Sequence, residues 1–310
     1  MGFRHKRVCG DYARPEAAGS AKFDMLLLDR MTTRRSFLTI MGAAAVASAA
    51  EQHFAGPLGL ETYSVRDILA KDLDQGLDTI RKLGFKEVEV ASFDKRTPEE
   101  YRKALDRAGL KATSTSVEWA AMEKDAKQGV QSVKALGSSY TMVSWIPHKG
   151  KFTMDDCQNA IKNFNNWGEQ FKEAGIHFTF HVHGYEFQPS PDGTLFDTLA
   201  KGMKPGVADF EMDTMWIVWP GQDPVALLKK YPGRWPLMHL KDPKKGVHGG
   251  LTPDAKPGDD VPVGSGQIDW PAVLKTAKAT GVKRYYIEDE SDKPLEQIPQ
   301  SVKYLKSVRF

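Results

Sequence analysis

From Leu58 to the C-terminus the chain alternates two kinds of hydrophobic spacing. Short apolar or alternating runs, the first being LGLETYS, are followed by segments with apolar residues three and four apart, such as DLDQGLDTIRKLG. The first kind predicts buried strands and the second amphipathic helices. The pair recurs as FKEVEVAS with TPEEYRKALDRAG, LKATSTSVEW with EKDAKQGVQSVKALG, and SSYTMVSWIP with TMDDCQNAIKNFNNWGEQFKEAG. It continues as IHFTFHVHG with LFDTLAKGM, VADFEMDT with DPVALLKKY, PLMHLKD with DWPAVLKTAKATG, and RYYIEDE with LEQIPQSVKYLKSV. Eight strand–helix units in about 260 residues predict an α/β fold, a single-domain (β/α)8 TIM barrel over residues 58–310. An open doubly wound sheet is the competing architecture, but no G-x-G-x-x-G follows the first strand.

Local punctuation agrees with the period. Helical segments close on Gly84, Gly109, Gly137, Gly175 and Gly281, the residue type that ends a helix in the left-handed conformation. Thr97-Pro98-Glu99-Glu100 reads as a helix start. One connection is out of scale: Pro243 to Gln267, rich in glycine and proline, separates the seventh strand from its helix. As a βα loop it belongs at the barrel mouth, either as a lid over substrate or as a surface excursion. His248 within it is expected to be solvated.

The strand ends carry the chemistry. Residues two apart on a strand point the same way, so His181 pairs with His183, Glu211 with Asp213, His239 with Lys241, and Glu288 with Glu290. All four pairs fall at the C-terminal ends of strands five to eight, and neighbouring strands lie about 4.8 Å apart. Buried unpaired carboxylates and imidazoles are costly. A shared divalent cation explains Asp213, His239 and Glu288 together more economically than three separate structural roles. Mixed carboxylate and imidazole ligands suit Mn²⁺, Zn²⁺, Co²⁺ or Fe²⁺ better than Ca²⁺.

The segments LGLETYSVRD, HVHGYEF, EMDTMWIVWPGQDPVALLKKYPGRWPLMHLKD and VPVGSGQIDWPAVL resemble the xylose isomerase-like TIM barrel family. That family includes sugar epimerases and isomerases, inosose dehydratases and, more distantly, endonuclease IV. The similarity is strongest to an exported bacterial branch labelled sugar phosphate isomerase/epimerase. In the epimerases the ion sits among a Glu after strand five, an Asp after strand six, a His after strand seven and a Glu after strand eight. Asp213, His239 and Glu288 match the last three, and His181 stands in place of the first. Trp216 stands where many epimerases have a substrate-binding His. The resemblance implies His181 as the fourth ligand, with His183 and Glu186 as acid/base candidates; Glu186 folding back onto the ion is the alternative.

The implied chemistry is removal of a proton next to a sugar carbonyl, with the cation stabilising the enediolate. Lys241 is a candidate donor to the developing oxyanion, or else a salt-bridge partner of Glu288 or Glu290. Return of the proton elsewhere gives isomerisation or epimerisation; loss of a β-substituent gives dehydration or glycoside elimination. Isomerase/epimerase is the leading expectation and lyase the runner-up, with a non-catalytic sugar-binding barrel more remote. Trp119, Trp145 and Trp216 are candidate platforms for a sugar ring, each with core packing as the alternative. With no glycine-rich phosphate cradle, an unphosphorylated sugar or keto-sugar is the expected partner, and an oligomer is possible.

Bulk composition adds limits. A formal charge of +3 is too small to argue for a nucleic-acid partner, and none is expected; 27% charged residues is an ordinary globular balance. The stretch MTTRRSFLTIMGAAAVASAA, residues 31–50, resembles a twin-arginine export signal, with Arg34-Arg35 ahead of an apolar run and small residues around Ala47–Ala50. Its apolar run of about 14 residues is short of the ~20 that span a bilayer, so stable membrane insertion is not expected. Residues 1–30 read as a disordered upstream extension, and the location as periplasmic or otherwise exported. Removal of residues 1–50 leaves Cys157 alone, so no intramolecular disulfide is expected.

Overall fold

Eight parallel strands follow the register that the alternation predicts. They are β1 (Leu58–Glu61), β2 (Glu87–Val90), β3 (Lys111–Thr115), β4 (Tyr140–Val143), β5 (His177–His181), β6 (Ala208–Asp213), β7 (Leu237–Leu240) and β8 (Arg284–Ile287). This computed structural model describes residues 53–310 apart from residue 192. The strands hydrogen-bond in the order β3-β2-β1-β8-β7-β6-β5-β4. The two ends meet through a parallel bridge between Ser116 and Met142, with Val117 N–H donating to the Met142 carbonyl at 2.8 Å. The result is a (β/α)8 barrel. The expected extension (1–30) and export signal (31–50) lie outside the described residues.

Helices α1 (Arg66–Lys71) and α2 (Leu73–Lys82) follow β1, and α3 (Pro98–Ala108), α4 (Trp119–Leu136) and α5 (Met154–Glu173) follow the next three strands. Then come α6 (Leu195–Gly202), α7 (Thr214–Val218), α8 (Pro224–Lys230), α9 (Trp270–Thr280) and α10 (Pro294–Ser307). The Thr97 side chain accepts from Glu100 N–H while the Glu100 carboxylate accepts from Thr97 N–H, closing a capping box at the predicted start. The five helix-ending glycines all have positive φ, from 67° at Gly109 to 99° at Gly281. Among the described residues no helix is long and apolar enough to cross a membrane.

The two ends of the barrel differ in chemistry. At the N-terminal end, buried Arg234 donates to Asp209 at 2.5 Å and to the carbonyls of Ala200, Met203 and Ala208 at 2.8–3.2 Å. Asp209 also meets His177 Nε2 at 2.8 Å, so these polar groups tie this end of the barrel together. At the other end lies the long seventh loop. Its root is an antiparallel pairing of Asp242–Pro243 with Asp260–Val261, and its tip packs on α7. Trp219 Nε1–H donates to the Thr252 carbonyl, and Gly249 lies so close that a Cβ there would sit 1.7 Å from that nitrogen. Pro253 from this loop lines the mouth cavity, and His248 is exposed as expected.

Candidate metal centre

Asp213 ends β6 and also caps α7, accepting from Trp216 N–H through Oδ1 at 3.0 Å. Its other oxygen, Oδ2, is buried without a hydrogen-bond partner. Around it stand His181 Nε2 at 3.7 Å and His239 Nδ1 at 3.9 Å, and Glu288 Oε2 lies 3.1 Å from the same His239 nitrogen. One donor atom from each of His181, Asp213, His239 and Glu288 lies within 4.8 Å of the other three. Four groups from four consecutive strand ends thus converge, as the two-residue alternation predicts. A buried orphan oxygen inside a two-imidazole, two-carboxylate set is the donor chemistry that suits a borderline divalent ion.

Behind this set lies a second layer. Glu211 Oε2 is 3.2 Å from His181 Nδ1, and Glu89 Oε1 is 2.5 Å from His239 Nε2. Glu89, Glu211 and His239 form another close group, in which Glu89 Oε2 and Glu211 Oε1 lack hydrogen-bond partners. Burial and the neighbouring Glu211 raise the Glu89 carboxyl to about 7. Burial pushes His239 down, but the carboxylates of Glu211 and Glu89 outweigh it and hold the imidazole well above its usual range. Burial, reinforced by His239, lowers His181 to about 3, so its ring is neutral. Asp213 is raised by burial to about 7 despite the nearby Lys241. The raised Glu89, Asp213 and His239 record an excess of buried negative charge that a bound cation would relieve, while the neutral His181 ring keeps a lone pair for such an ion.

The cavity above the set has a volume of about 660 Å³ and is lined by His181, His183, His239 and Glu288 with Trp145, Trp216, Glu61 and Glu290. His183 stacks edge-on to His181 at 4.6 Å between ring centroids, and burial lowers it well below the usual imidazole range. Its Nδ1 has no hydrogen-bond partner. Trp145 is 41% exposed at the rim, while Trp216 is buried in the wall.

Three expectations need correction. Trp119 does not line the cavity; its ring packs edge-on against Phe164 and Trp167 at 5.5 and 4.8 Å, between α4 and α5. Glu186 is fully buried off the cavity, because its short 3-10 turn directs Oε1 onto His183 N–H at 3.0 Å. It therefore joins neither the ligand set nor the cavity wall. Lys241 also sits off the wall: it is buried, 3.3 Å from Glu288 and bonded to Glu290, so the salt-bridge alternative holds. These carboxylates outweigh burial and keep the ammonium well above its ordinary range.

Comparison with known proteins adds the decisive observation. The family model for the xylose isomerase-like TIM barrel matches residues 77–308. The chain belongs to this family. A relative in Lacticaseibacillus casei, inosose dehydratase, is 23% identical over 268 residues, 76% of this chain and 89% of its own length. The crystal structure of a sugar phosphate isomerase/epimerase from Parabacteroides distasonis superposes with a TM-score of 0.67 at 28% identity, covering 86% of this chain and 98% of that one. The IOLI protein, solved with a zinc atom bound, superposes at 0.62 with 13% identity over 80% of this chain and 96% of that one.

Within the xylose isomerase-like barrel, the residues that sequence reasoning passed over are Glu61 and Glu89. Both sit in runs, LGLE and EVEV, that read as ordinary strand alternation. The available signal was parity. A barrel closes one face of every strand inside, so a carboxylate on the inward parity near a strand end has nowhere to go but the site.

Proposed function

We propose that this chain is a divalent-metal-dependent isomerase or epimerase acting on an unphosphorylated sugar or keto-sugar. The observation that carries the reading is the set His181, Asp213, His239 and Glu288 with a buried, unpartnered Asp213 oxygen. These four would hold Mn²⁺, Zn²⁺, Co²⁺ or Fe²⁺. Such an ion supplies Lewis-acid stabilisation of negative charge developing on a carbonyl oxygen, worth several kcal/mol.

The chain's own residues supply the rest. His183, on the cavity wall and kept neutral by burial, is the base that takes a proton from the carbon beside the carbonyl. Glu211 and Glu89 hold the ligand imidazoles in one tautomer. Glu186 fixes the loop that carries His183 through the 3.0 Å bond to its N–H. Lys241 holds Glu288 and Glu290 in place. Trp145 and Trp216 offer ring faces to the sugar.

Charge supports a neutral substrate. The wall carries Glu61, Asp67, Asp94, Glu118, Glu288 and Glu290 against a single lysine or arginine, Arg66. A phosphate would meet net repulsion there. A dehydratase is the second reading. It is favoured by His181 in the position that the epimerases fill with Glu, and by the likeness to inosose dehydratase. Export through the twin-arginine route remains part of the proposal, checked by the N-terminal sequence of protein recovered from the periplasm.

The test is direct. Protein purified without chelators is analysed for bound metal, then incubated with keto-sugars in deuterated water. Label entering the sugar only in the metal-loaded sample is the expected result. A metal-free protein that takes up no divalent ion ends the proposal, and an unsaturated product selects the dehydratase.

A further inference from the structure

We propose that Glu61 is a second proton-transfer group of this site, facing His183 from the opposite wall; the assignment rests on the proton-transfer reading above. Glu61 is the last residue of β1, and His183 follows the end of β5. Around the closed ring β3-β2-β1-β8-β7-β6-β5-β4, strands β1 and β5 are four steps apart in either direction, the largest separation eight strands allow. Both residues line the same cavity, and His239 and Glu288 from the intervening β7 and β8 line it too. A sugar seated over the ligand set would present one face toward β5 and the other toward β1.

Glu61 is 2% exposed, and among the described residues it forms no ion pair with lysine or arginine. Its Oε2 accepts from Tyr63 N–H at 2.6 Å, so the turn after β1 fixes the carboxyl's orientation. A buried carboxylate without a counter-cation is costly unless it keeps a proton. Capping a four-residue 3-10 turn does not require a glutamate: Ser, Thr or Asn does it without a buried acid.

The proton balance is simple. His183 takes the proton from carbon, and the electron pair of the broken C–H bond remains on the substrate as the enediolate. Glu61 then breaks its O–H bond and gives that proton to the opposite face of the same carbon, ending as carboxylate. The imidazolium and the carboxylate exchange protons with water to restore the starting forms. Inversion needs a base and an acid on opposite faces, and these two walls carry one each.

The experiment uses the full chain, loaded with Mn²⁺, in deuterated water with D-fructose and D-tagatose as probes. The wild-type protein is expected to incorporate deuterium and form the C3 epimer. Glu61→Gln should keep exchanging label into recovered starting sugar while epimer formation falls by about 100-fold or more. Glu61→Ala should lose the epimer likewise and regain it when formate is added. Metal content and melting temperature of both variants control for folding. Epimer formation at the wild-type rate in Glu61→Gln overturns the assignment, as does equal loss of exchange and epimer with the metal retained. Absence of exchange in the wild-type protein removes the underlying reading, and the assignment with it.

Discussion

Glu211 grips the side of His181 that faces away from the other ligands: its Oε2 lies 3.2 Å from Nδ1, while Nε2 of the same ring looks toward Asp213. The carboxylate selects the tautomer with the proton on Nδ1 and the lone pair on Nε2. Glu89 does the same for His239 with the nitrogens exchanged. Removing such a partner typically weakens metal binding by about 10–100-fold. Glu211→Gln and Glu89→Gln should each raise the dissociation constant for Mn²⁺ or Zn²⁺ in that range, measured by competition with a chromogenic chelator. Unchanged constants would mean that the two carboxylates do not orient the rings.

Metal removal should be felt in stability as well. An ion that binds the folded chain but not the unfolded one adds about 4 kcal/mol when present at roughly 1,000 times its dissociation constant. Calorimetric melting after dialysis against a chelator should therefore fall, and added Mn²⁺ should restore it. Asp213→Ala should abolish the restoration. Identical melting of stripped and loaded protein would refute binding at this cluster.

The tryptophans divide by environment. Trp119→Ala empties a packed site among Phe164 and Trp167 and is expected to cost about 3–5 kcal/mol in a denaturant titration. Trp145→Ala, at a rim position 41% exposed, should leave stability within about 0.5 kcal/mol. Its effect should instead appear as roughly tenfold weaker sugar binding, read by titration calorimetry. The reverse pattern would contradict both placements.

Much of this site was legible because strand alternation and strand order are both written in the chain. Asp213 and Glu288 close hydrophobic runs, His239 lies one residue short of the end of β7, and the barrel turns consecutive strand ends into spatial neighbours. Trp119 was misread for a related reason: EW lies at a strand-to-helix junction, and only the packing of α4 on α5 decides which way the indole turns. Glu186 sits three residues beyond His183, where the fold of a short turn rather than any period sets direction. Lys241 shares the parity of His239, yet its long side chain reaches sideways to Glu288 and Glu290. Reach of that kind has no signature in spacing.

Glu186 gives a stability that depends on pH. Burial raises its carboxyl to about 7, against backbone donors that pull it down. Below the ordinary carboxylate range both folded and unfolded chains carry the proton. As pH rises toward 7 the unfolded chain has released its proton while the folded one still holds it, so stability falls through that window. Above it the group imposes a constant cost of up to about 3 kcal/mol. Glu186→Gln cannot ionise, so it should match wild-type stability near about pH 4 and exceed it near about pH 8. Equal denaturation midpoints at both pH values would show that Glu186 ionises freely in the fold.

Asp242 governs the long loop. Its Oδ2 accepts from Gly264 N–H at 2.9 Å, Gly266 N–H at 3.0 Å and Trp270 Nε1–H at 2.8 Å, and Oδ1 accepts from Ile268 N–H at 3.2 Å. One buried carboxylate thereby ties the returning limb of the loop to the end of β7 and to the start of α9. Gly266 is required by the same contact, since a Cβ there would lie 2.1 Å from Asp242 Oδ1. Asp242→Ala strands four donors, and buried donors left without a partner cost about 1–3 kcal/mol each, less where water can enter. The loss should fall first on residues 243–267, because the barrel strands keep their own hydrogen bonds. Limited proteolysis should then cut within that segment while the remaining fragments stay folded. Sugar binding should weaken too, because Pro253 would no longer wall the cavity. Gly266→Ala should reproduce both effects through the clash alone. A variant that resists protease like the wild-type chain would show that the loop is held from its α7 contacts instead.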